Sequence, residues 1–201
     1  MSSQEREGMH IAIEGMDGVG KTTVSTLLAK RLGFDFVEKP LHYLFDEDEG
    51  FANYERIRDY VNMQNDRVFT SWFYGLGNVY LYHRFRGRNI VTDRHLVSNY
   101  LWSGTEASYP VFDCLVDLIG HPDFTFLLYA DSEIVRSRLM KRCPADSDMK
   151  KAELIPWAYE KMEGFLKGKG MRYLRIDTEK LTPEEICNII EEKLGAEGLL
   201  Q

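Results

Sequence analysis

Cysteine is scarce in this chain: Cys114, Cys143 and Cys187 are odd in number and far apart. None has C-x-x-C spacing, so neither a disulfide framework nor a zinc site is expected, and reduced thiols point to the cytoplasm. Long apolar runs are missing as well, none approaching the roughly 20 residues of a membrane span. Ser2 to Gly8 is polar and charged, without the apolar core of a signal peptide. Basic charge is in deficit, 25 Lys and Arg against 32 Asp and Glu, for a net charge of −7. That balance argues against general nucleic-acid binding, which wants a basic surface, yet leaves room for a local basic pocket. Repeats, low-complexity segments and linkers are lacking too. Residues 1–201 are therefore expected to form one domain, long enough to bury a substantial core.

What is present is organised around Gly15-Met16-Asp17-Gly18-Val19-Gly20-Lys21-Thr22, which fits G-x-x-x-x-G-K-[ST]. Ile11 and Ile13 before it read as a strand. Val24, Leu27, Leu28 and Leu32 after it read as a helix stopped by Gly33. Glycines let backbone N–H groups turn around an anion, and the helix N-terminus adds partial positive charge. In this motif Lys21 reaches the β- and γ-phosphates of a nucleotide and the Thr22 hydroxyl sits on Mg²⁺.

Further strands are expected at Phe34–Val37, Asn89–Thr92, Phe124–Tyr129 and Met171–Ile176, with the nearly all-apolar Phe124–Tyr129 covered on both faces. Helices are expected over Tyr54–Asn65 and over Arg67–Arg86, where Phe69, Trp72, Phe73, Leu76, Val79 and Tyr80 recur at helical spacing. Gly75 and Gly77 weaken that long helix, which points to close packing there. Another helix should run from Ser108, a candidate cap, with Pro110 in its first turn, to Ile119. Ser132-Glu133 opens a basic helix, Cys143–Lys151 reads as a mobile loop, and Asp46–Gly50 as a solvated acidic loop. Thr182-Pro183-Glu184-Glu185 is a capping box for a last helix. The alternation predicts an α/β fold, a mostly parallel five-stranded sheet in a three-layer α/β/α arrangement. Ligands of such sheets sit at the carboxyl ends of the strands, where Glu14–Lys21, Glu38-Lys39, Asp93-Arg94 and Asp131 would converge.

The residues then resemble a known family. Glu-Gly-x-Asp-Gly-x-Gly-Lys-Thr-Thr is similar to the phosphate loop of thymidylate kinases, P-loop enzymes that phosphorylate dTMP with ATP. Asp93-Arg94-His95-Leu96-Val97-Ser98 resembles their D-R-[YH]-x-x-S, and Trp102 and Gly104 fall where the family has an aromatic residue and a glycine. Asn65-Asp66-Arg67 resembles the end of L-F-A-A-x-R. Pro122-Asp123, Asp131, Glu133, Arg138 and Arg142 resemble the segment entering the lid, here about 138–153.

The resemblance implies a P-loop kinase acting on ATP and a deoxynucleoside monophosphate with Mg²⁺, as a homodimer whose interface could be the aromatic helix. Gly15, Asp17, Gly18, Gly20, Lys21, Thr22 and Thr23 would hold ATP, and Thr22 and Asp93 the Mg²⁺. Arg94 would clamp the acceptor phosphate, Asp17 would reach the acceptor's 3′-hydroxyl, and Arg67 its base. Glu38, Met63, Ser98 and Trp102 complete the acceptor set. No arginine lies in the phosphate loop, so the lid would supply the transition-state cation, Arg142 before Arg138.

Three departures leave the base open. Met63 replaces the stacking Phe, Ser103 the Gln near the base, and Glu38-Lys39-Pro40-Leu41 an R-E-P-G run. Two alternatives stand beside dTMP kinase: a deoxynucleoside kinase using Glu38 or Asp93 as base, and a regulatory protein that binds ATP without turnover.

Overall fold

The computed structural model describes residues 8–46, 50–143 and 147–200. Its frame is a five-stranded sheet in the order β2-β3-β1-β4-β5, every pairing parallel. The strands are β1 His10–Glu14, β2 Asp35–Glu38, β3 Ile90–Asp93, β4 Phe124–Tyr129 and β5 Tyr173–Asp177. The three central strands are buried almost throughout, whereas the edge strands β2 and β5 are partly open. That is why β4 reads as a continuous apolar run and β5 does not.

The helices are α1 Lys21–Leu32, α2 His42–Phe45, α3 Ala52–Asn62, α4 Arg67–Arg84, α5 Leu96–Ser103, α6 Tyr109–Ile119, α7 Ser132–Arg142, α8 Ile155–Gly168 and α9 Pro183–Ala196. Among them α1 packs on α9 and β3, and α4 on α5 and α6, while α5 also meets α8. Phe112, Phe124, Phe126, Ile11, Ile13 and Leu28 fill the main core, each at most 2 % exposed. Gly75 lies where a Cβ would stand 2.9 Å from Leu115 of α6, and at Gly77 one would stand 3.3 Å from Leu41. Gly75 is thus explained by the close approach of α6, and Gly77 by that of the Pro40-Leu41 turn.

Several local expectations change. The Cys143–Lys151 stretch is not all loop: Ser147–Leu154 form a 3₁₀ helix, and residues 144–146 lie outside the described residues. Of the acidic Asp46–Gly50, residues 47–49 also lie outside them. The Asp46 carboxylate accepts from the N–H groups of Asn53 and Tyr54, 2.8 and 3.0 Å away, and so starts α3. Ser108 is not a side-chain cap, because its hydroxyl donates to Ser103 O at 2.7 Å. α5 was not expected as a helix, and α2 is a single turn.

Thr182 and Glu185 form the expected reciprocal cap, at 3.2 and 2.8 Å. Thr182→Ala should therefore lower unfolding stability by about 1 kcal/mol, measured by urea titration. An unchanged midpoint would show that the cap contributes nothing.

Candidate active site

The parallel register sets Ile13 of β1, Asp93 of β3 and Glu38 of β2 side by side. The loops beyond these strands therefore open at one edge of the sheet. Gly15, Gly18 and Gly20 all have positive φ, and a Cβ on Gly15 would stand 2.4 Å from Leu128 O. Only glycine fits there. Gly20 places no side chain on the first amides of α1, which remain available to an anion. Lys21 is buried and donates to Met16 O at 2.7 Å, with Asp17 at 3.7 Å. Burial, helped by the nearby Arg94 charge, pulls its ammonium down to about 8. Thr23 is exposed beside it.

The Thr22 hydroxyl donates to Asp93 Oδ2 in a close contact, while the buried Asp93 Oδ1 has no hydrogen-bond partner among the described residues. A buried carboxylate oxygen left in that condition is costly, and together with the hydroxyl it forms a hard-oxygen pair of the kind Mg²⁺ takes. These residues fit the ion.

Arg94 begins the turn into α5 at φ 75°, and Lys39 at the end of β2 has φ 44°. Two non-glycine residues in the left-handed region thus lie at neighbouring strand ends, a strained geometry that folds keep at working sites. The Arg94 guanidinium donates to Ser98 Oγ at 3.1 Å and forms a close ion pair with Asp17 of the phosphate loop. Burial works to raise the Asp17 pKa, but Arg94, Lys21, Lys151 and Arg142 hold it at about 2.

Beneath this pair lies Glu14, fully buried. Its carboxylate accepts from the N–H groups of His95, Val97 and Ser98 at 2.8, 3.1 and 3.3 Å and from the Ser98 hydroxyl. Glu14 caps α5 from 81 to 84 residues away, and burial raises its pKa. At the other end of α5, Lys161 donates to Leu101 O and Gly104 O at 2.9 and 2.6 Å. A carboxylate at its N-terminus and an ammonium at its C-terminus fix this short helix, which carries Ser98 and Trp102.

Across from Arg94, α3 and α4 present Tyr54, Arg58 and Tyr74. Arg58 lies over the Tyr54 ring at 5.8 Å, and Tyr74 donates to Asn62 Oδ1 at 2.8 Å. Burial raises both phenol pKa values, and the nearby Arg94 charge works against that rise. Met63 stands 75 % exposed at the end of α3, and Arg67 is exposed at the start of α4. Ser103 is sealed between helices, its hydroxyl donating to Asn99 at 2.7 Å.

The basic residues after β4 divide. Arg138 gives its guanidinium to Thr178 Oγ1 at 3.0 Å and Thr178 O at 2.6 Å. Arg142 pairs with Asp148 at 3.6 Å and is 59 % exposed. Lys151, not singled out in the sequence, is 3.8 Å from Asp17 Oδ2 and 5.3 Å from the Trp102 ring centre. Tyr54, Arg58, Tyr74 and Lys161 were missed as well, and Glu14, expected among the converging strand ends, was not expected to cap α5. The signal of the four missed residues lies in which face of a helix they occupy, and spacing alone does not carry it.

Asp17 has a depressed folded pKa, so its stabilising contribution is present above about 4 and lost as pH falls towards 2. Asp17→Asn should cost on the order of 2 kcal/mol at pH 7. The gap to the unaltered protein should close between pH 4 and 2 in urea titrations; a gap independent of pH would contradict the ion pair.

Comparison with known proteins bears on the same residues. The family model for thymidylate kinase matches residues 13–190. The putative adenylate kinase of Thermococcus onnurineus is 28 % identical over 182 residues, 90 % of this chain and 82 % of that one. The thymidylate kinase of Lactobacillus helveticus is 25 % identical over 202 residues, 91 % and 94 % of the two chains. The solved structure of deoxyadenosine kinase from M. mycoides with bound dATP has the same fold, with TM-score 0.63 and 20 % identity over 93 % of this chain and 99 % of that one. With the phosphate loop and these kinase relatives, the chain is an ATP-dependent phosphotransferase acting on a nucleotide or nucleoside. The matched span holds the loop, Asp93-Arg94 and the basic segment after β4, and the chain belongs to the thymidylate kinase family.

Proposed function

We propose that the chain transfers the γ-phosphoryl group of ATP to a deoxynucleoside monophosphate, dTMP first among them, giving ADP and dTDP. The observation that carries this reading is Arg94, an arginine held in a left-handed turn at a strand end, with its guanidinium paired to Asp17 of the phosphate loop. A guanidinium so placed matches a phosphate. A nucleoside acceptor would bring none.

In this reading Lys21 and the loop amides hold the β- and γ-phosphates, while Thr22 and Asp93 hold Mg²⁺. When held by Thr22 and Asp93, Mg²⁺ would neutralise charge on the transferring group. Arg94 clamps the acceptor phosphate while it stays paired with Asp17, whose second oxygen reaches the acceptor sugar. An acceptor phosphate oxygen then bonds to the γ-phosphorus as the bond to the β-phosphate oxygen breaks, and ADP departs. That oxygen is already a competent nucleophile, so alignment and charge neutralisation suffice. The lid, about 138–153, would close over the phosphates with Arg142, while Arg138 stays on Thr178 and borders the donor side. Lys151 already reaches Asp17 and is a second cation for the transition state. Excluding water protects the phosphoryl group from hydrolysis.

Deoxynucleoside kinase is the second reading, favoured by Glu38, whose position in register with Asp93 would suit a base for a 5′-hydroxyl. A panel of nucleosides and monophosphates with ATP and Mg²⁺, read by ADP release, separates the two. Turnover is expected with monophosphates, and Arg94→Ala should raise their KM on the order of 100-fold with little effect on ATP. Turnover with nucleosides alone would overturn the first reading.

Pairing of two copies through α4 belongs to the proposal. Val68, Phe69, Trp72, Leu76 and Val79 line one exposed face of that helix, and Leu118 of the adjoining α6 is 72 % exposed. Trp72→Glu should convert a dimer to a monomer in sedimentation; a monomeric unaltered protein would contradict the pairing. Three free cysteines suit a reducing cytoplasm, and no helix among the described residues is long and apolar enough to cross a membrane.

A further inference from the structure

The helix that follows the lid, α8, touches the phosphate loop from beneath. Tyr159 on α8 is 3 % exposed. Its hydroxyl donates to Leu128 O of β4 in a close contact and accepts the Met16 N–H at 3.2 Å. Met16 is the residue whose carbonyl receives Lys21 Nζ at 2.7 Å. Holding the N–H of Met16 limits rotation about its φ, and with it the direction of the carbonyl on which Lys21 rests. Gly15 completes the fit, since a Cβ there would stand 3.1 Å from the Tyr159 hydroxyl. The ring itself is fixed by Tyr129, edge-on at 4.9 Å, and by Arg175, 5.4 Å from its centre. Burial keeps the phenol protonated, so it can donate and accept at once.

We propose that Tyr159 is a positioning residue for Lys21, acting through Met16, so that α8 ties the segment before it to the donor loop. The proposal rests on the reading above, that Lys21 holds ATP phosphates. Two residues on, Lys161 holds the C-terminal carbonyls of α5. One helix therefore braces both the donor loop and the acceptor wall.

Calorimetric titration with ATP and Mg²⁺ tests it. Tyr159→Phe should weaken ATP binding about 10-fold, the loss expected for one hydrogen bond, with the acceptor KM unchanged within about twofold. In a Lys21→Met background the same change should weaken ATP binding less than about twofold, because the residue it positions is gone. Equal losses in both backgrounds, or none in the first, would overturn the proposal. Should the phenylalanine variant not fold, the unaltered protein still decides. A slowly exchanging Tyr159 hydroxyl proton with a cross-peak to the Met16 amide is expected by NMR, and its absence overturns the contact. An unaltered protein that does not bind ATP removes the functional reading itself, and the proposal with it.

Discussion

The ion pair between Asp17 and Arg94 is the contact on which the rest of the site depends. It joins the phosphate loop after β1 to the turn after β3, two segments far apart in sequence. From Arg94 the connection continues through Ser98 to Glu14, which lies only three residues before Asp17. The result is a closed circuit of alternating charge and hydroxyl. A partly buried pair of this kind costs desolvation and repays it best when the neighbouring polar atoms are satisfied. Here both Glu14 oxygens are, by three backbone amides and one hydroxyl. The arrangement holds the Arg94 guanidinium in place in an otherwise unfavourable left-handed turn.

Local chemistry made much of the fold legible. The phosphate loop, the apolar β4 and the Thr182–Glu185 box are each written in consecutive residues, and each is found where expected. α5 was hidden because its cap is not local. No side chain at His95 caps it, and Glu14 supplies the acceptor from another strand. Ser108 misled for the converse reason. It has the composition of a cap, but its hydroxyl is drawn to Ser103 O by tertiary packing.

The site divides in the same way. Gly15 to Thr22 and Asp93-Arg94 could be named from spacing because the loop and the strand end impose it. Tyr54, Arg58 and Tyr74 could not, since helical periodicity places aromatic residues equally well in a core or a cleft. The basic run after β4 reads as uniform in sequence, whereas the structure sends Arg138 to Thr178 and Lys151 towards Asp17. Ser103, in the place of a base-reading residue in the family, is enclosed by Asn99 and Ser71. In the proposed reading, discrimination among bases would then fall to α3 and α4.

In the proposed reading this pair joins the donor loop to the acceptor clamp, and so joins the two binding events. Reciprocal coupling between them is the most direct consequence. The measurement is the affinity for ATP with and without a saturating monophosphate, in the unaltered protein and in Asp17→Asn. The account predicts that the monophosphate tightens ATP binding at least about 5-fold in the unaltered protein, and that this coupling falls to nearly onefold in the variant. Coupling of equal size in both would contradict it.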